Sequence, residues 1–196
     1  TADVHLRITD LTDKTAVFAA EGWIWTRYDG RNPLGCGQQE GWVPTLMLRR
    51  HGSRAPLSST FVSVMEPYEK TSKIDRVRRL PLTSTAGTLY GESYVAVEIQ
   101  LTDGRRDLLI VADVENPLGH QPAWQAGQEI IQRDWNVRLD GQLGWFRRNN
   151  QGHLDRLVLG NGQRIETSHL NWVCTEPVDF MEIALDDNSA TVLSGS

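Results

Sequence analysis

The stretch "YVAVEIQLTDGRRDLLIVAD", residues 94–113, constrains the fold more than any other part of this chain. Its apolar residues alternate with a period of two. Val95, Val97, Ile99 and Leu101 fall on one face, and Tyr94, Ala96, Glu98 and Gln100 on the other. A helix cannot gather such a pattern on one side, but a strand does so without strain. Between the two runs stands Asp103-Gly104, a pair that tolerates the positive φ of a tight hairpin turn. Further turns are expected at Asp140-Gly141, at Asn150-Gln151-Gly152 and at Gly160-Asn161-Gly162. Closely spaced turns between period-two runs predict an antiparallel meander. The fold expected is all-β, an antiparallel β-sandwich with Val95, Val97, Ile99 and Leu101 facing inward. Only "PAWQAGQEIIQRDW" has the composition of a helix; Gly127 weakens it, and it reads as strand or irregular loop. The segment "VDFMEIALDDNSATVLSGS" supplies one strand and a second after it.

The stretch "SSTFVSVMEPYEK", residues 58–70, poses a sharper question, because a β-rich run meets Glu66-Pro67-Tyr68 and then turns basic. Proline brings no donor to a ladder and favours strand ends. The reading is that Glu66-Pro67 closes a strand and that "EPYEKTSKIDRVRRLPL" crosses between sheets. That strand is expected to be central, because Phe61, Ser63 and Met65 and the opposite set Val62, Val64 and Glu66 are both largely apolar. Glu66 should have an arginine partner, since an unpaired buried carboxylate is costly. The break divides the chain into an N-terminal β-sheet region, 1–70, and a C-terminal β-sandwich region, 71–196, or leaves one continuous sandwich, 1–196.

A net charge of -5 opposes general nucleic-acid binding, which needs a cationic surface. No apolar run reaches the ~20 residues that span a membrane. The opening "TADVHLRITD" shows no signal-peptide pattern and enters a strand almost at once, so the chain reads as a mature fragment or a domain of a longer protein. Cys36 and Cys174 form a disulfide or remain two free thiols; no zinc-type cysteine spacing occurs.

Catalytic signatures are missing. His5, His51, His120, His153 and His169 show no metal-ligand spacing. There is no Gly-x-Ser-x-Gly elbow, and the glycine-rich "PLGCGQQEG" has no phosphate-binding context. No metal and no cofactor is expected. Binding residues are easier to find. Trp23 and Trp25 alternate with Ile24 on one strand, and Tyr28 and Arg31 follow in a loop. Indoles stack on sugar rings, but they also fill cores and domain interfaces. Arg76 and Arg78 lie in a basic run suited to carboxylated or sulfated sugars. Trp23, Trp25, Tyr28, Arg31, Arg76 and Arg78 are therefore the candidate carbohydrate-binding residues.

Three segments carry a family resemblance: Ser59-Thr60-Phe61-Val62-Ser63-Val64-Met65-Glu66-Pro67, then Leu80-Pro81-Leu82, then "TDGRRDLLIVAD" with "DGQLGWFRRNNQGHLDRLVLGNGQRI". Together they resemble the heparinase II/III-like polysaccharide lyases over about residues 46–165. The resemblance implies β-sandwich structure, a uronic-acid polymer as context, a periplasmic or extracellular location, and an N-terminal helical toroid of the same parent protein as partner. The family's catalytic tyrosine and histidine belong to the toroid and the earlier sandwich, so no catalytic residue is carried onto this chain. The expected role is a non-catalytic sandwich region that supports the catalytic domain and contacts the glycan. The alternatives are a stand-alone carbohydrate-binding module and a small lyase with its site on the sandwich face.

Overall fold

A computed structural model describes residues 3–26, 39–54, 59–112, 125–186 and 189–195. Every regular element among them is a β-strand, and every pairing is antiparallel. In chain order the strands are β1 (Val4–Asp10), β2 (Ala16–Thr26), β3 (Gln39–Arg49), β4 (Ser63–Glu69), β5 (Ile74–Leu80), β6 (Val95–Leu101), β7 (Arg106–Val111), β8 (Ile130–Gln132), β9 (Val137–Arg148), β10 (Leu154–Glu166), β11 (Asn171–Leu185) and β12 (Ala190–Gly195). The chain forms two compact units. One joins Thr1–Leu11 to Ser58–Ser196, and the other is Thr12–Leu57.

The larger unit is the sandwich. Its main sheet runs β12-β11-β10-β9-β7-β6-β5, and β8 pairs with the start of β9. The sheet becomes two layers by doubling back. In a straight strand Val137 and Arg148 would be about 36 Å apart. Instead, Arg148 Nη2 donates to the carbonyl of Trp135, two residues before Val137, at 2.9 Å. The fold-back is made where glycines meet. Gly141 of β9 lies opposite Gly162 of β10. A Cβ on Gly162 would stand 2.6 Å from the Asp140 carbonyl oxygen and 2.6 Å from Gly141 Cα, so only glycine lets the backbones pass this closely. Ile130, Leu139 and Ile165 from the shorter layer then close on Leu108, Phe146 and Leu157 from the longer one, and all six are fully buried.

Two of the expected turns exist. Gly104 has φ 90° between β6 and β7, and Gly152 has φ 88° between β9 and β10. The other two are corrected: β9 runs through Asp140-Gly141, and β10 runs through Gly160-Asn161-Gly162 with a bulge after Gly162. The small, permissive residues there serve the bend, not a reversal. Asp140 accepts from the Gly127 N–H at 3.0 Å and from Gln163 Nε2 at 2.8 Å, tying the segment before β8 to the bend.

The inward face of β6 is also the opposite of that expected. Tyr94 and Ala96 belong to the core, whereas Val97 is buried on the other face and Val95, Ile99 and Leu101 are only half-buried. A carboxylate on the inner face misled the pattern: Glu98 is buried because Arg78 and Trp135 meet it there.

The stretch around Glu66 needs three corrections. β4 does not end at Pro67 but continues to Glu69, paired with β1. The N–H of Leu11 bonds Val62 and that of Lys70 bonds Asp3. Counting inward from these bonds puts the Leu6–Pro67 pair at a non-hydrogen-bonded position, where the missing donor costs nothing. Nor is the strand central, because Phe61 is 50% exposed and Met65 64%. The basic stretch is not a crossing but is itself β5, the edge strand of the main sheet. The expected arginine partner is present: Arg7 Nη2 lies 3.0 Å from Glu66 Oε2.

The smaller unit contains the antiparallel ribbon of β2 and β3. Cys174 packs half-buried against the sandwich core, and Cys36 lies outside the described residues.

Candidate functional site

At the open end of the sandwich the two layers part around a cleft of about 890 Å³. Arg148, the β9–β10 turn and the start of β10 contribute Asn149, Gly152, His153, Leu154 and Asp155. The β10–β11 connection brings Thr167, Ser168, His169 and Leu170, and the β11–β12 turn brings Asp186 and Ser189. Trp135, in the turn between β8 and β9, and Val137, the first residue of β9, line it as well. These segments are far apart in sequence and meet only because the sheet folds over itself.

Trp135 organises the floor. It is 2% exposed, and its Nε1–H donates to Glu98 Oε2 at 2.8 Å. The guanidinium carbon of Arg148 lies 4.4 Å from its ring centroid and that of Arg106 5.6 Å, within cation–π range. Burial pushes the Glu98 carboxyl up, but hydrogen bonds from Arg78 and Trp135 and the charges of Arg78 and Arg106 outweigh it, so the net shift is downward. Burial, reinforced by the charge of Arg106, pulls the Arg148 guanidinium below its ordinary value, against a smaller opposing pull from Glu98. Among the described residues no group of three or more histidine, cysteine or acidic side chains is arranged to hold a metal ion. The chemistry on offer is a cation, two acids, two imidazoles and several hydroxyl and amide groups: a binding surface for a polar ligand.

Glu66 is a second buried acid, with a different role. It accepts from Ser72 Oγ at 2.8 Å, from the Lys73 N–H at 2.7 Å and from the Ile74 N–H at 3.0 Å. Burial raises its carboxyl, but these three hydrogen bonds and the charge of Arg7 win, and the net shift is downward. The donors belong to β1, to the connection into β5 and to the first residue of β5, so Glu66 is a clamp between elements.

The sequence candidates scatter. Trp23 lies on β2, 54% exposed, against Trp42 of β3 with ring centroids 5.5 Å apart and an interplanar angle of 73°. Trp25 follows on β2, but its side chain, like Tyr28 and Arg31, lies outside the described residues. Arg78 is occupied by Glu98, and Arg76 is exposed on β5. The tryptophans and the arginines thus belong to different units. One histidine and one tyrosine do meet: His5 stacks on Tyr68 at 5.1 Å, with Nε2 2.9 Å from Asp3. Their rings lie face to face, which leaves no in-plane path for a proton between them. Sequence reasoning missed Trp135, Arg148, Asp155, His169 and Asp186. The one local signal was the hairpin "RRNNQGHLD", which places cations before and a His-x-Asp pair after a turn.

No protein-family model matches the chain, and no curated protein matches it.

Proposed function

We propose that this chain is the non-catalytic β-sandwich region of a protein that degrades uronic-acid polymers, where it supports a catalytic helical toroid and contacts the glycan. The observation that carries the reading is the β2–β3 ribbon. Pairing alternates its side chains, so Val17, Trp23, Trp42 and Leu46 share one face, and Phe18 and Met47 the other. All six are exposed, by 41% to 64%. A two-stranded ribbon is marginal by itself, and apolar residues exposed on both faces gain from being covered by another domain. The edge-to-face indoles favour this reading over a stand-alone carbohydrate-binding module, since a flat sugar platform needs coplanar rings.

The phenols support a non-catalytic role. Tyr90 donates to the Glu129 carbonyl oxygen at 3.2 Å, and Gln128 Nε2 bridges the Tyr90 and Tyr94 hydroxyls. β-Elimination needs an acid and a base aimed at one sugar carbon and its leaving oxygen, with a cation at the carboxylate. The test is incubation of the chain with alginate, heparin, heparan sulfate and chondroitin while unsaturated uronate absorbance is followed. No rise is expected. A rise that vanishes in His5→Ala or Tyr68→Phe would overturn the assignment.

A further inference from the structure

Three arginines share one row across the inner face of the sandwich at its open end. Pairing sets Arg76 of β5 opposite Gln100 of β6, Gln100 opposite Arg106 of β7, and Arg106 opposite Arg148 of β9. With strands about 4.8 Å apart, the row is roughly 14 Å long. Among the described residues none of the three arginines has a carboxylate within ion-pair distance, whereas Arg78, Arg147 and Arg164 each have one. Like charges directly opposite, as in Arg106 and Arg148, are destabilising; the Glu98 charge offsets part of this, but its oxygens are held by Arg78 and Trp135, which leaves room for a further anion.

The row ends in the cleft, where a second observation points the same way. Asp155 Oδ1 is buried without a hydrogen-bond partner. Arg148 and Asp155 both line the cleft, yet they do not pair with each other. Arg148 spends one of its five donors on the Trp135 carbonyl oxygen, which fixes the guanidinium and leaves the others. A ligand that satisfies both groups carries an anion for Arg148 and a hydroxyl donor for Asp155.

We propose that the Arg76–Arg106–Arg148 row and the adjoining cleft bind an anionic saccharide, with its acid group on Arg148 and a ring hydroxyl donating to Asp155. This rests on the acidic-glycan reading above and assigns it a place. A nucleic acid fits less well: Trp135 is too buried to stack on a base, and the net charge is -5.

Calorimetric titration with cellobiouronic acid and with cellobiose, which differ by one carboxylate, tests the assignment. The acid should bind about tenfold tighter or better, as expected for a charge-assisted pair. Arg148→Gln should abolish that preference, and Asp155→Asn should weaken both sugars by a similar factor, with circular dichroism unchanged. Glucose 6-sulfate as a third ligand distinguishes sulfate from carboxylate as the preferred acid group. If Arg148→Gln does not fold, the exposed Arg76→Gln, titrated with an alginate oligomer, should still weaken binding. Equal affinity for the two disaccharides, acid binding untouched by Arg148→Gln, or tighter binding of a single-stranded oligonucleotide would overturn the proposal. Alginate retained by both arginine variants would remove the cleft and leave the acidic-glycan reading standing; no binding of any sugar would remove both.

Discussion

Two buried glutamates show how single residues govern stability here. Glu66 and Glu98 are both held ionised below the ordinary value of 4.5, since their hydrogen bonds and cationic neighbours outweigh burial. A carboxyl depressed by folding adds stability that is fully present above its unfolded pKa and is lost as pH falls through the lower folded one. Thermal melts should therefore hold steady from neutral pH to about 4.5 and decline below it. Glu66→Gln and Glu98→Gln should each cost about 1–3 kcal/mol at neutral pH and flatten that acid decline; melting curves across the range measure both effects. Glu66 also shows what the sequence could reveal. An apolar strand carrying one carboxylate calls for a cation, and Arg7 answers. The partners of Glu98 were not legible, because Arg78 meets it only through the β5–β6 pairing and Trp135 reaches it only after the sheet doubles back.

At the scale of elements, the same dipeptide had two fates. Asp103-Gly104 turns a hairpin, while Asp140-Gly141 lies inside β9. A local signal reports which backbone angles and side-chain sizes are tolerated. It does not say whether the tolerance serves a reversal or a close crossing, and at Gly141 the deciding neighbour, Gly162, is on another strand. Strand existence was legible almost throughout, because period-two burial is local. The face of β6 was not, because it depended on a pairing across strands. The β2–β3 ribbon carries its own prediction. With Trp23 and Trp42 exposed, the isolated chain should self-associate. Trp23→Ser with Trp42→Ser should shift sedimentation velocity profiles toward monomer and leave the melting temperature of the sandwich unchanged.

For the molecule as a whole, the smaller unit is an insertion between two paired strands. The Leu11 N–H bonds the Val62 carbonyl oxygen at 2.8 Å, so the chain leaves the larger unit and returns at neighbouring points. Replacing residues 12–61 by an Asn-Gly turn should leave a cooperatively folding sandwich, with the melting temperature moved by no more than about 4 °C, as calorimetry would show. The cleft was the least legible feature of the sequence, since its walls come from four separate connections that only the fold-back assembles. The insertion also sets an order in time. During synthesis β1 is made well before β4, its only strand partner among the described residues, whereas β6 and β7, then β9 and β10, find theirs across short turns as soon as they emerge. Until the whole insertion has left the ribosome, β1 waits with an open edge, its ladder donors and acceptors unpaired. That interval is when a nascent chain of this design is most in need of a chaperone.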